Sequence, residues 1–131
     1  MAAIQESPNR GIQILVADDE PAVRGLFAKQ LRSAGYCVSE AESGLEALRL
    51  LREISFQLLV LDLEMPEIDG FEVLKIVRAE FPGLQVLVIS GYLEGVLLKA
   101  AECFGAVLTL EKTSAPRFLV EAARKLLGSA T

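Results

Sequence analysis

Five short apolar runs, residues 12–17, 36–41, 58–61, 85–89 and 106–110, alternate with longer stretches of helical period, and this alternation restricts the chain to an α/β architecture. The third run is the most informative. Leu58, Leu59, Val60 and Leu61 are apolar without a break, as expected of a strand buried on both faces in the middle of a parallel sheet. Period alone leaves a buried helix open for so short a run. Asp62 then stands at the strand's carboxyl end, the edge at which open α/β sheets bind ligands. Met65-Pro66 interrupts pairing, and Asp69-Gly70 turns the chain into the next element.

The intervening segments carry helix signals. Pro21 suits a first helical turn, Val23, Leu26, Phe27, Gln30 and Leu31 follow a 3.6 period, and Ala34-Gly35 stops it. Ser43 with Glu46 forms a capping-box pattern, after which Leu45, Leu48 and Leu51 are expected on an inner face. Asp69 with Glu72 repeats the pattern ahead of Phe71, Leu74, Val77 and Phe81, closed by Pro82-Gly83. Residues 93–104 are helical in pattern but apolar on most sides, so this helix is either deeply covered or presents an adhesive face to a partner or a second copy. Ser114 is placed to cap a last helix, with Pro116 in its first turn and Leu119, Ala122, Ala123 and Leu126 facing inward.

Five strands and five helices at this spacing predict a doubly wound parallel sheet, covered on both faces by right-handed crossovers. Residues 11–128 form the expected domain, preceded by a flexible lead-in over 1–10 and followed by a tail over 129–131. A net charge of −5 argues against a nucleic-acid surface. No apolar run approaches the ~18 residues of a membrane span, and no signal peptide is visible. Cys37 and Cys103, each isolated, read as reduced core residues of a cytoplasmic protein.

The polar residues converge by position. Asp18 and Asp19 follow the first strand, Asp62 the third, Ser90 the fourth and Lys112 the fifth, all at one edge of a parallel sheet. In the flavodoxin-like order 2-1-3-4-5 they surround the crevice at the strand-order reversal. Three carboxylates there repel one another by about 4 kcal/mol per pair at ~4 Å and an effective dielectric of about 20. A hard divalent cation offsets that, and Mg²⁺, which keeps waters and shares a phosphate, suits an open acidic cleft. Lys112 supplies a mobile charge for a phosphoryl oxygen, while the Ser90 hydroxyl and the N–H groups beside Gly91 can donate to another. Asp62, central in the sheet, is the candidate nucleophile for an aspartyl phosphate.

On Asp18-Asp19-Glu20-Pro21, Asp62-Leu63-Glu64-Met65-Pro66, Asp69-Gly70, Ser90-Gly91 and Lys112, the chain resembles the receiver domains of two-component response regulators. The resemblance implies that a histidine kinase or a phosphotransfer protein donates a phosphoryl group from His to Asp62. It further implies that Asp19, Asp62 and the Glu64 backbone carbonyl ligate Mg²⁺, with Asp18 acting through a metal-bound water. Ser90 and Lys112 would contact the phosphoryl group. Two positions depart from the family pattern: Thr113 stands where most members have a proline in a cis bond, and Thr109 where they have Tyr or Phe. A Mg²⁺-dependent phosphatase using Asp62 and Glu64, as in haloacid-dehalogenase-like enzymes, and a receiver-like interaction module that no longer cycles phosphate are the competing readings.

Overall fold

A computed structural model describes residues 11–65, 68–91 and 108–128. Within them the elements run β1 (Gln13–Ala17), α1 (Pro21–Ser33), β2 (Cys37–Ala41), α2 (Gly44–Glu53), β3 (Leu58–Asp62), α3 (Gly70–Glu80), β4 (Gln85–Ser90), β5 (Leu108–Glu111) and α4 (Ala115–Leu127). The helix expected over 93–104, with Cys103, lies outside the described residues. All five strands pair in parallel in the order β2-β1-β3-β4-β5.

The apolar run at 58–61 becomes the central strand because every one of its side chains finds a covered site. Leu59 and Leu61 join Leu15, Ala17, Val86 and Val88 under α2 and α3. Leu58 and Val60 join Ile14, Val16, Leu87 and Ile89 under α1 and α4. The pleat sends alternate residues to opposite faces, so an unbroken apolar run serves two cores at once.

The caps follow the sequence signals in part. Ser43 Oγ accepts from Glu46 N–H at 3.1 Å, and Glu46 Oε1 accepts from Glu42 N–H at 2.8 Å. Asp69 Oδ1 accepts from Phe71 N–H at 2.7 Å. Ser114 precedes α4 but makes no side-chain cap, because its Oγ turns back to donate to the Glu111 carbonyl at 3.3 Å.

Three apolar side chains lie outside, and two of them, Leu45 and Cys37, are expected inside from the sequence. Leu45 is 56% exposed, since the inward stripe of α2 is Gly44, Ala47, Leu48 and Leu51, which leaves Leu45 rotated away from the sheet. Leu26 is 43% exposed because Phe27, Ala28 and Leu31 take the covered face of α1. Cys37 is an exposed free thiol, not a core residue: it opens β2, an outer strand of the sheet, where a side chain has a partner strand on one flank only.

The first residue of α3 lies close against Leu63, just after β3. A Cβ on Gly70 would stand 2.6 Å from Leu63 Cα and 2.9 Å from its carbonyl oxygen, both backbone atoms with little freedom to withdraw. Gly70→Ala is therefore expected to destabilise the chain by about 1 to 3 kcal/mol, measured by urea denaturation, by forcing Leu63 off the start of α3.

Candidate functional site

Because the strands are parallel, their carboxyl ends share one edge, and the sequence-predicted residues meet there. Asp18, Asp62 and Ser90 are almost fully buried, at 1%, 2% and 1% exposure. One carboxylate oxygen from each of Asp18, Asp19 and Asp62 lies within 4.8 Å of the others. From β5, Lys112 reaches across the top of the sheet, its Nζ 3.2 Å from Asp62 Oδ2 and 3.4 Å from Asp18 Oδ2. It does so with Thr113, not proline, after it.

Backbone ladders set these positions. Asp18 N–H donates to the Ala41 carbonyl at 3.1 Å, Leu63 N–H to Ile89 at 3.1 Å, and Lys112 N–H to Ser90 at 2.8 Å. Each bond ties the residue after one strand to the end of its neighbour. Local bonds then aim the carboxylates: Asp18 Oδ1 accepts from Glu20 N–H at 2.9 Å, and Asp62 Oδ1 from Glu64 N–H at 3.1 Å.

Burial dominates the electrostatics. It pushes the Asp62 carboxyl up to about 6, against the lowering effect of the Glu64 N–H; the Asp18 charge raises it further and the Lys112 ammonium lowers it. Burial likewise raises Asp18, partly offset by the Glu20 N–H and by Lys112. For Lys112 burial acts downward, yet the bond it donates to Glu20 and the charges of Asp62 and Asp18 outweigh it and hold the ammonium above its ordinary range. One cation thus faces more negative charge than it can neutralise. Asp18 Oδ2 is buried and has no hydrogen bond, its nearest positive group being that same ammonium. A second cation fits this donor set, which is all oxygen and suited to a hard divalent ion.

Three contributors were not anticipated. Glu20 Oε1 accepts from Lys112 Nζ at 2.7 Å. Arg24 donates from Nη1 to the Asp18 carbonyl at 2.8 Å and from Nε to Glu40 at 3.1 Å, fastening the turn after β1 to both α1 and β2. The carboxylate of Glu64, a residue whose backbone carbonyl alone the receiver resemblance implicates, accepts from Ser90 Oγ at 2.6 Å and from Gly91 N–H at 3.3 Å. The Asp18-to-Glu20 spacing was visible in the sequence; the reach of Arg24 and Glu64 depends on rotamers that no local pattern records.

Residues 14–124 match the family model described as response regulator receiver domain. The chain is 32% identical over 115 residues to the response regulator receiver protein CpdR of Brucella abortus, covering 88% of this chain and 96% of that protein. It is 40% identical over 83 residues to the sensor kinase CckA of the same organism, covering 62% of this chain and 9% of the kinase. Among solved structures, the response regulator TrrA of Thermotoga maritima in complex with Mg²⁺ and BeF superposes with a TM-score of 0.79 at 31% identity, over 88% of this chain and 98% of that one. The chain spans only 9%, 54% and 18% of three of the longer proteins that it resembles.

Proposed function

The chain belongs to the response regulator receiver domain family, and from that membership we propose that Asp62 is its phosphoacceptor, taking a phosphoryl group from a histidine of a sensor kinase or phosphotransfer protein. One observation carries the assignment to this residue. Asp62 is the buried carboxylate at the end of the central strand, with Asp18 and Asp19 within 4.8 Å and the Lys112 ammonium at 3.2 Å.

Asp18, Asp19, Asp62 and the Glu64 carbonyl would hold Mg²⁺, which supplies positive charge to the oxygens of the transferred group. The chain's own residues do the remainder. An oxygen of Asp62 forms the new bond to phosphorus as the bond from phosphorus to the donor nitrogen breaks, and the electron pair of that bond stays on the imidazole. Lys112 holds its charge beside the reacting carboxylate, and Ser90 Oγ and Gly91 N–H are the donors available to phosphoryl oxygens. Hydrolysis of the acyl phosphate by water returns Asp62 and inorganic phosphate. In this reading the chain is a signalling switch that takes part in its own phosphoryl transfer and loss, not an enzyme acting on a separate substrate.

The test is incubation with a small phosphodonor and Mg²⁺. A stable mass increase of one phosphoryl group, mapped to Asp62, supports the switch. Turnover of phosphomonoesters without that adduct would favour a phosphatase, and neither result would leave an interaction module.

The reading extends to surroundings. Among the described residues no helix is long and apolar enough to cross a membrane. The domain, taken as residues 11–128, is assigned to the cytoplasm, where phosphodonors made from ATP are available. An output partner or second copy is assigned to the face over 93–104. Signal must leave without an aromatic at position 109, where Thr109 is half-buried and pairs with Val88. A shift of Ser90 takes that part: Ser90→Ala is expected to weaken the coupling between beryllofluoride binding and the switched conformation by about 1 to 3 kcal/mol, and Thr109→Ala to do little. Amide resonances recorded with and without beryllofluoride distinguish the two variants.

A further inference from the structure

The side chain of Glu64 is folded back over the site. Its own N–H donates to Asp62 Oδ1, while its carboxylate takes Ser90 Oγ–H at 2.6 Å on one oxygen and Gly91 N–H at 3.3 Å on the other. Gly91 in turn lies beside the stem of Lys112, whose Cδ would be 3.7 Å from a Cβ at that position, and whose Nζ rests on Asp62. The hydroxyl and the amide thus meet on the Glu64 carboxylate, while the ammonium meets the neighbouring Asp62. At 2.6 Å the serine bond is of the short, charge-assisted kind.

A hydroxyl has one proton and an amide has one. Neither can serve the Glu64 carboxylate and a phosphoryl oxygen together at full strength. We propose that the Glu64 carboxylate is an internal anion that competes with the phosphoryl group for Ser90 Oγ–H and Gly91 N–H, and must swing away before that group is held. This rests on the phosphoacceptor reading of Asp62 and adds to it a residue that sets how readily the phosphorylated state is reached. Two effects act together: the bonds to Ser90 and Gly91 have to be given up, and a carboxylate left nearby repels the arriving anion. Its release is incomplete in cost, since the freed carboxylate is rehydrated by solvent.

The substitution that tests this is Glu64→Ala, which removes the carboxylate but leaves the residue 64 carbonyl and N–H in place. In saturating Mg²⁺, titration with beryllofluoride followed by calorimetry is expected to show about tenfold tighter binding to Glu64→Ala than to the wild-type chain, a difference of about 1.4 kcal/mol. Measured in a Ser90→Ala background, the gain from Glu64→Ala is expected to be smaller, because the competition for the serine proton is gone while that for Gly91 N–H and the repulsion remain. Glu64→Gln, which keeps the side chain's shape, is expected to fall between, and it carries the test should the alanine variant melt at much lower temperature. The Gly91 amide proton resonance, followed without metal, is expected to move upfield in both variants as the carboxylate leaves it. Binding to the wild type as tight as, or tighter than, to both Glu64 variants would overturn the competition while leaving the phosphoacceptor reading in place. Failure of every form to bind beryllofluoride would remove that reading and this proposal with it.

Discussion

Asp62→Asn is expected to abolish phosphoryl incorporation from a small phosphodonor, by at least about 10³-fold, the scale on which loss of a nucleophile is felt. The substitution is nearly isosteric, so the surroundings need not change: Lys112 keeps Glu20 at 2.7 Å and Asp18 at 3.4 Å, and Ser90 keeps Glu64. What is lost is the carboxylate oxygen proposed to form the acyl phosphate. Asp19→Asn has a different signature. It retains the proposed acceptor but weakens the oxygen set proposed to hold the cation, so labelling should be recovered at higher Mg²⁺ concentration. Chelator in excess should suppress labelling of the wild type. Intact-mass measurement across these conditions decides the matter, and undiminished labelling of Asp62→Asn would transfer the site elsewhere.

The same substitution should make the metal-free chain more stable. Burial raises the Asp62 carboxyl from its ordinary 3.8 to about 6, so the folded state holds the proton more tightly than the unfolded state does. The resulting stabilisation is fully present below pH 3.8 and is lost as pH rises through about 6. At about 1.4 kcal/mol per pH unit, ionised Asp62 then costs the fold about 3 kcal/mol at pH 8. Asn has no such cost. In chelator, urea denaturation should find Asp62→Asn more stable than wild type by about that amount at pH 8 and nearly equal at pH 4. Mg²⁺ should narrow the gap at pH 8, since a ligand that binds the wild-type folded state more tightly stabilises it more. A gap independent of pH between 4 and 8 would show that Asp62 is not strained by its burial.

Much of this was legible in the sequence, for a definite reason. A parallel strand buried on both faces must be apolar throughout, so 58–61 announced the middle of the sheet, and the polar residues directly after each strand could be assigned to one edge without coordinates. Asp18, Asp19, Asp62 and Lys112 meet as expected because backbone topology alone brings them there. Exposure was less legible. Leu45 fits the helical period, yet the buried position in the first turn of α2 belongs to Gly44, where a Cβ would press on Ile68 and Val73. Cys37 is apolar enough for a core but opens an outer strand. Long side chains were the least legible of all. Arg24 and Glu64 act on residues of other elements, at distances their own neighbours in the chain do not encode.

The position of Lys112 has a mechanical corollary. Its backbone N–H holds the Ser90 carbonyl at 2.8 Å, while its ammonium holds Asp62 and Asp18 near the middle of the sheet. It follows β5, an outer strand whose described residues are half-buried or exposed. A tether anchored on a margin transmits the margin's fluctuations inward. When β5 frays, the counter-charge leaves two buried carboxylates in the same event, and their uncompensated charge then draws it back. The outer strand and the charge balance at the centre therefore open together or stay closed together, so hydrogen exchange at Leu108–Glu111 reads the electrostatic state of a carboxylate two strands away.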